Sequence, residues 1–111
     1  MVFGVSRGQC DLTAKGYHHI KADISDESAV REMMATIADQ AGRLDVLINN
    51  AGQKTNGYAL LTTSSQATEM VMTNLLGTFL MTREAAKLMK RNRFGRVVNL
   101  SSVAVPLGGM G

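Results

Sequence analysis

The chain has 111 residues, of which 45% are hydrophobic and 19% charged, with a formal net charge of +3. That balance is the one of an ordinary globular domain with a modest core. A single cysteine, Cys10, excludes a disulfide framework or a cysteine metal cluster and fits a reducing, cytoplasmic setting. No apolar run approaches membrane-spanning length, and the N-terminus has no basic stretch followed by an apolar core, so neither membrane insertion nor secretion is expected.

Met1 to Val5 reads as a short strand entering a turn-like Ser6-Arg7-Gly8, and Gln9 to Gly16 reads as loop. A second strand runs from Tyr17 or His18 to Ala22 and ends at Asp23. Neighbouring residues on a strand point to opposite faces, so His18 and His19 are structural or surface histidines rather than a metal chelate. Ser25 followed by Asp26 and Glu27 predicts a helix start with Ser25 as the cap. Val30, Met33, Met34, Ile37 and Ala41 then recur at helical spacing, and Gly42 supplies the stop.

The helix leads into Leu44-Asp45-Val46-Leu47-Ile48, so nearly all apolar that it predicts a strand buried on both faces of a parallel sheet. It halts at Asn49-Asn50-Ala51-Gly52, the position at which such sheets bind ligands. Gln53 to Thr62 is polar and irregular, broken by Gly57. Thr63-Ser64-Ser65-Gln66 matches a capping box and opens a helix running to about Met89. Its centre is apolar nearly all round through Met70, Val71, Leu75, Leu76, Phe79, Leu80 and Met81, which predicts burial on two sides. One side is expected on the sheet, with Gly77 permitting close approach, and the other against a partner subunit or another helix of the same chain. Lys87, Lys90, Arg91, Arg93 and Arg96 cluster at the helix end, where cations complement the exposed carbonyls. Phe94 is the one aromatic in that run, so a nucleic-acid face is not expected. Gly95 to Leu100 gives the last strand, ending in Ser101-Ser102, and no element is placed in Val103 to Gly111. The order β-loop-β-α-β-loop-α-β defines an α/β fold with a parallel sheet.

The Asn-Asn-Ala-Gly signature after a Leu-Asp-Val-Leu-Ile strand resembles the short-chain dehydrogenase/reductase family, and other positions agree with it. Asp23 resembles the acidic residue that contacts the adenine, and Asn50 lies in the signature that steadies the central strand beneath the cofactor, with Ala51 and Gly52 beside it. Asn74, in Thr-Asn-Leu-Leu-Gly-Thr-Phe, resembles the asparagine of the catalytic tetrad. Ser102, in Asn-Leu-Ser-Ser-Val-Ala, resembles the catalytic serine that hydrogen-bonds the substrate oxygen. The resemblance implies hydride transfer between a nicotinamide cofactor and a small carbonyl or alcohol substrate, without a metal. Arg7 can pair with a 2′-phosphate where an acidic residue would repel it, so NADP is expected over NAD. The Phe-Gly-Arg-Val and Val-Asn-Leu-Ser-Ser-Val-Ala stretches are similar to the 3-oxoacyl-carrier-protein reductase branch, in which Arg93 would meet an acidic carrier.

Two family motifs are missing from the sequence: the Gly-x-x-x-Gly-x-Gly phosphate loop and the Tyr-x-x-x-Lys pair, since neither Tyr17 nor Tyr58 has a lysine four residues on. The expectation is therefore a single partial NAD(P)-binding domain over residues 1–111: a fragment of a Rossmann-type doubly wound parallel sheet lacking its first strand and its C-terminal part. In the family the first strand lies between the strands that here run from Met1 to Val5 and from Leu44 to Ile48. Without it, either the chain is unstable or the Met1 to Val5 strand shifts inward to pair with Leu44 to Ile48. The alternative to an oxidoreductase fragment is an inert α/β binding or interaction module derived from the family, associating through the long helix.

Overall fold

A computed structural model describes residues 1–55 and 58–102 of the protein; Gly57 and the unplaced stretch from Val103 to Gly111 lie outside them. The elements follow the predicted order. Strand β1 spans Val2–Ser6, β2 Tyr17–Lys21, helix α1 Glu27–Ala41, β3 Val46–Asn49, helices α2 Ser64–Val71 and α3 Thr78–Arg91, and β4 Arg96–Asn99. Both strand pairs are parallel: β1 with β2 from Val2 opposite Tyr17 to Ser6 opposite Lys21, and β3 with β4 from Val46 opposite Arg96 to Asn49 opposite Asn99.

The two pairs form separate sheets, and β1 has not moved inward to pair with β3. The core holds each pair in place. Val30, Met33, Met34 and Ile37 of α1 pack with Leu80, Met81, Ala85, Leu88 and Met89 of α3, and onto this cluster settle Leu47 from β3 and Phe3, Val5 and Ile20 from the other pair. Phe3 and Val5 are partly buried on that surface, and fully burying such side chains is worth about 1.5–3 kcal/mol each.

The helices thus cover one face of β1–β2 and of β3, while β4 is exposed throughout. Leu47 is buried, but Val46 and Ile48 are 49% and 61% exposed, so β3 alternates instead of being buried on both faces. Among the described residues no other helix covers the second side of the long helix, where Val71, Leu75 and Phe79 are all more than half exposed. These residues follow at i, i+4 and i+8 and form one stripe turned away from the core.

The helix ends show how local sequence sets the geometry. Asp26, not Ser25, caps α1, its carboxylate accepting from the N–H groups of Ser28 and Ala29 at 2.9 and 3.2 Å. Ser25 is drawn away by Asp23, to which it donates both its N–H and its hydroxyl. Gly42 closes α1 in the left-handed region at φ 72°. The capping box at Thr63 and Gln66 forms reciprocally. Between α2 and α3 the helix continues without a break but widens to π-helical turns over Met72–Gly77. A Cβ on Gly77 would meet Ile24 Cγ1 at 2.7 Å, so the expected close approach is made to the segment after β2. At its end, α3 carries Lys90 and Arg91 in the last turn and closes through Arg93, which sits at φ 53° while Phe94 N–H returns to Met89 O. Arg96 places its guanidinium 4.9 Å from the Phe94 ring.

Candidate functional site

Within each pair the strands run the same way, and the carboxyl ends of β1, β2 and β3 meet at one rim of the molecule. A cleft of about 580 Å³ opens there between the inner edges of β1 and β3. Val5, Ser6 and Arg7 form one wall, Asp23 and Ile24 part of the floor, and Asn49 to Gln53 the opposite wall. Five residues singled out from the sequence, Arg7, Asp23, Asn50, Ala51 and Gly52, therefore line one cavity although they come from three separate segments.

Asn74 reaches the same wall from the helix. Its side-chain oxygen accepts from Gln53 N–H at 2.7 Å and its side-chain nitrogen donates to Gln53 O at 2.8 Å, a two-point clasp on the backbone just after the signature. It lies within the π-helical turns, and its own carbonyl accepts from the Thr78 hydroxyl at 2.8 Å. The widened turn thus places an amide side chain where a regular helix would have a different register, and single π-turns of this kind are frequent at functional sites. Ser102 stands two residues past Leu100, whose N–H bonds Asn49 O, and so lies beyond the end of β4 beside the end of β3.

Within the signature, Asn49 makes contacts that steady the strand. Asn49 donates to Thr82 Oγ1 at 3.1 Å and to Asn99 Oδ1 at 2.8 Å, tying β3 to α3 and to β4. Asp23 is an ionised acceptor: hydrogen bonds from the Ser25 hydroxyl, then from the Ser25 N–H, and the positive charge of Arg7 hold its carboxyl below the usual carboxylate range. Gln53 is a residue that sequence reasoning does not select. With its amide oriented to satisfy both groups, its side-chain oxygen accepts from Arg7 Nη1 and Nη2 at 3.1 and 2.7 Å. Arg7 and Asn74 are thereby joined through one residue across the cleft.

His19 contacts Tyr17, Ser6 and Gly8, and His18 stacks on Phe3 with centroids 5.4 Å apart, so both histidines have structural roles. Among the described residues no group of three or more histidine, cysteine or carboxylate side chains could hold a metal, and no helix is long and apolar enough to cross a membrane.

A parallel α/β rim with small and amide residues at a strand end, facing an arginine and a carboxylate, is the kind of site that open α/β folds use for nucleotides. Comparison with known proteins agrees. The short chain dehydrogenase family description matches residues 7–110, and the chain belongs to that family. It is 34% identical over 103 residues to the Staphylococcus aureus 3-oxoacyl-(acyl-carrier-protein) reductase FabG, covering 91% of this chain and 42% of that protein. It is 31% identical over 108 residues to a Bacteroides thetaiotaomicron 3-ketodihydrosphingosine reductase, covering 97% and 40%. Among solved structures, ElxO with NADP bound superposes with a TM-score of 0.75 at 35% identity, over 81% of this chain and 37% of that one. The chain thus spans about two fifths of the length of these relatives.

Proposed function

We propose that this chain carries the cofactor-facing part of an NADP-dependent oxidoreductase that interconverts a carbonyl and an alcohol, with a 3-oxoacyl thioester as the substrate class. The observation that carries the reading is the convergence of Arg7, Asp23 and Asn50 to Gln53 on one cleft, with Asn74 clasping its wall. The residues fit a dinucleotide: a guanidinium for a 2′-phosphate, an ionised carboxylate for the adenine end, and small residues at Ala51 and Gly52 over which a flat ring can lie. When bound, the nicotinamide supplies or takes up the hydride.

The chain's own residues do the remaining work. Arg7 selects the phosphorylated cofactor, and Asp23 contacts the adenine. Asn74 fixes the loop after Gly52 so that the wall does not yield when a ligand enters, and it holds a water in the family's proton relay. Ser102 donates its hydroxyl to the substrate oxygen as negative charge develops there. The NADP-bound ElxO structure and the reductase relatives support NADP and the substrate class. The exposed stripe of Val71, Leu75 and Phe79 favours self-association through residues 64–90. Arg93 is the candidate contact for an acidic carrier, and the lone exposed Cys10 suits a reducing cytoplasm.

The test is a fluorescence titration with NADPH and NADH. The reading expects saturable NADPH binding, weakened roughly tenfold by Arg7→Ala, a loss of about 1.4 kcal/mol, with NADH binding little changed. Equal binding of the two cofactors, or none, contradicts it. NADPH oxidation by an acetoacetyl thioester separates the oxidoreductase from an inert binding module, and such turnover should fall steeply in Ser102→Ala.

A further inference from the structure

We propose that the Gln53 side chain is a built-in occupant of the phosphate-reading edge of Arg7, so that a 2′-phosphate enters the site by displacing it. The proposal rests on the cofactor reading above and deepens it: Gln53 becomes a specificity-tuning residue that sets how strongly the phosphorylated cofactor is preferred.

The geometry points there in three ways. With the amide oriented so that its oxygen faces Arg7, Gln53 takes Nη1 and Nη2 together, at 3.1 and 2.7 Å, and these are the paired donors that a phosphate would engage. One neutral oxygen therefore stands where a doubly charged group would bind. The backbone of Gln53 is pinned independently, since Asn74 holds both its N–H and its carbonyl at 2.7 and 2.8 Å. The side chain can leave Arg7 without loosening the wall. Finally, Gln53 borders two cavities: the cleft it shares with Arg7, and a second of about 630 Å³ lined by Lys54, Tyr58, Gln66 and Met70. A displaced amide has a space to enter, lined in part by Lys54 and Gln66.

Competition has a definite sign. A hydrogen bond between a neutral and a charged group is weaker than a phosphate–guanidinium pair, so the phosphate wins but loses part of its gain to the exchange. Removing the amide returns that part. A carboxylate at the same position would hold Arg7 as an ion pair and repel the phosphate.

The experiment measures calorimetric affinities for 2′,5′-ADP and 5′-AMP, which differ by the phosphate in question, in the wild type, Gln53→Ala and Gln53→Glu. The proposal expects Gln53→Ala to tighten 2′,5′-ADP roughly threefold to tenfold and Gln53→Glu to weaken it by tenfold or more, with 5′-AMP moved less than twofold by either. Weaker 2′,5′-ADP binding in Gln53→Ala, or unchanged binding in both variants, overturns it. A second measurement, independent of any ligand, follows the Arg7 guanidinium protons by NMR; their exchange should quicken in Gln53→Ala. If the wild type fails to bind 2′,5′-ADP and Gln53→Ala binds it, occlusion by Gln53 is supported in its strongest form. If neither binds and the guanidinium exchange still quickens, the pair exists but the phosphate reading of the site is wrong; unchanged exchange shows that the pair itself does not form.

Discussion

The two strand pairs are built alike and finished differently. Each is parallel, each faces the same helical layer, and each contributes one edge to the cleft. On the outer face of β1–β2, the Tyr17 ring lies over Gly4, its hydroxyl donates to Cys10 Sγ at 3.6 Å, and His19 contacts the Tyr17 hydroxyl at 3.2 Å and Gly8 O at 3.0 Å. That pair closes its outer face with its own polar side chains. On the outer face of β3–β4, the apolar Val46, Ile48, Val98 and Leu100 lie 46–61% exposed. Its composition is that of strands covered on both sides, and the described residues cover one. The pair bearing the signature is therefore the one whose stability depends most on contacts from outside itself.

Substitutions can break or sharpen this contrast. The largest effect belongs to the core that both pairs share. Met33 is 2% exposed and lies in the cluster on which Leu47, Phe3 and Val5 all settle, so Met33→Ala should cost about 2–5 kcal/mol by urea denaturation. Hydrogen exchange should then rise in both pairs together; protection lost from one pair alone would show that the core is not common to them. Next comes the polar outer face. A Cβ at Gly4 would overlap the Tyr17 ring, so Gly4→Ala should displace the ring from His19 and cost roughly 1–3 kcal/mol, with exchange rising in β1–β2 first.

Acid should act between these and the smallest effect. Hydrogen bonds from Arg83 and the nearby Arg31 charge hold the Glu27 carboxyl below its usual range, and Lys87, followed by Arg83, does the same for Glu84. Arg83 bonds both carboxylates, at 2.7 and 2.8 Å, and so ties α1 to α3. Both folded values lie below the unfolded one of about 4.3. The stabilisation is accordingly present above that pH and is lost as pH falls through the lowered values. Thermal melts from pH 7 to pH 3 should show a declining midpoint, and the decline should be shallower in Glu84→Gln. The smallest effect falls on the bare face. Ile48→Thr removes an exposed apolar group and should change stability by less than about 0.5 kcal/mol by urea denaturation.

Much of the fold could be read from short-range chemistry. The stop at Gly42, the capping box at Thr63 and Gln66 and the apolar stripe of α1 are set by residues within a few positions of one another, and all formed as expected. The cap of α1 slipped by one residue because Asp23, outside the helix, competes for Ser25. Burial was misread in β3, and the second side of the long helix meets no other helix among the described residues, because apolarity records what a segment can bury and not what is there to bury it against. The lining of the cleft was legible where residues abut a strand end, as Asn50 to Gly52 do, and a family pattern singled out Asn74, which clasps its wall. Gln53 was not, since its role depends on Arg7, 46 residues earlier, meeting it across the cleft.

The central claim is that the rim between β1 and β3 is a site for a phosphorylated nicotinamide cofactor. Calorimetric titration of the chain with NADPH, alongside NADH, tests it most directly. The account predicts one saturable site that prefers NADPH and loses that preference in Arg7→Ala; absence of binding, or a preference unmoved by that substitution, would contradict it.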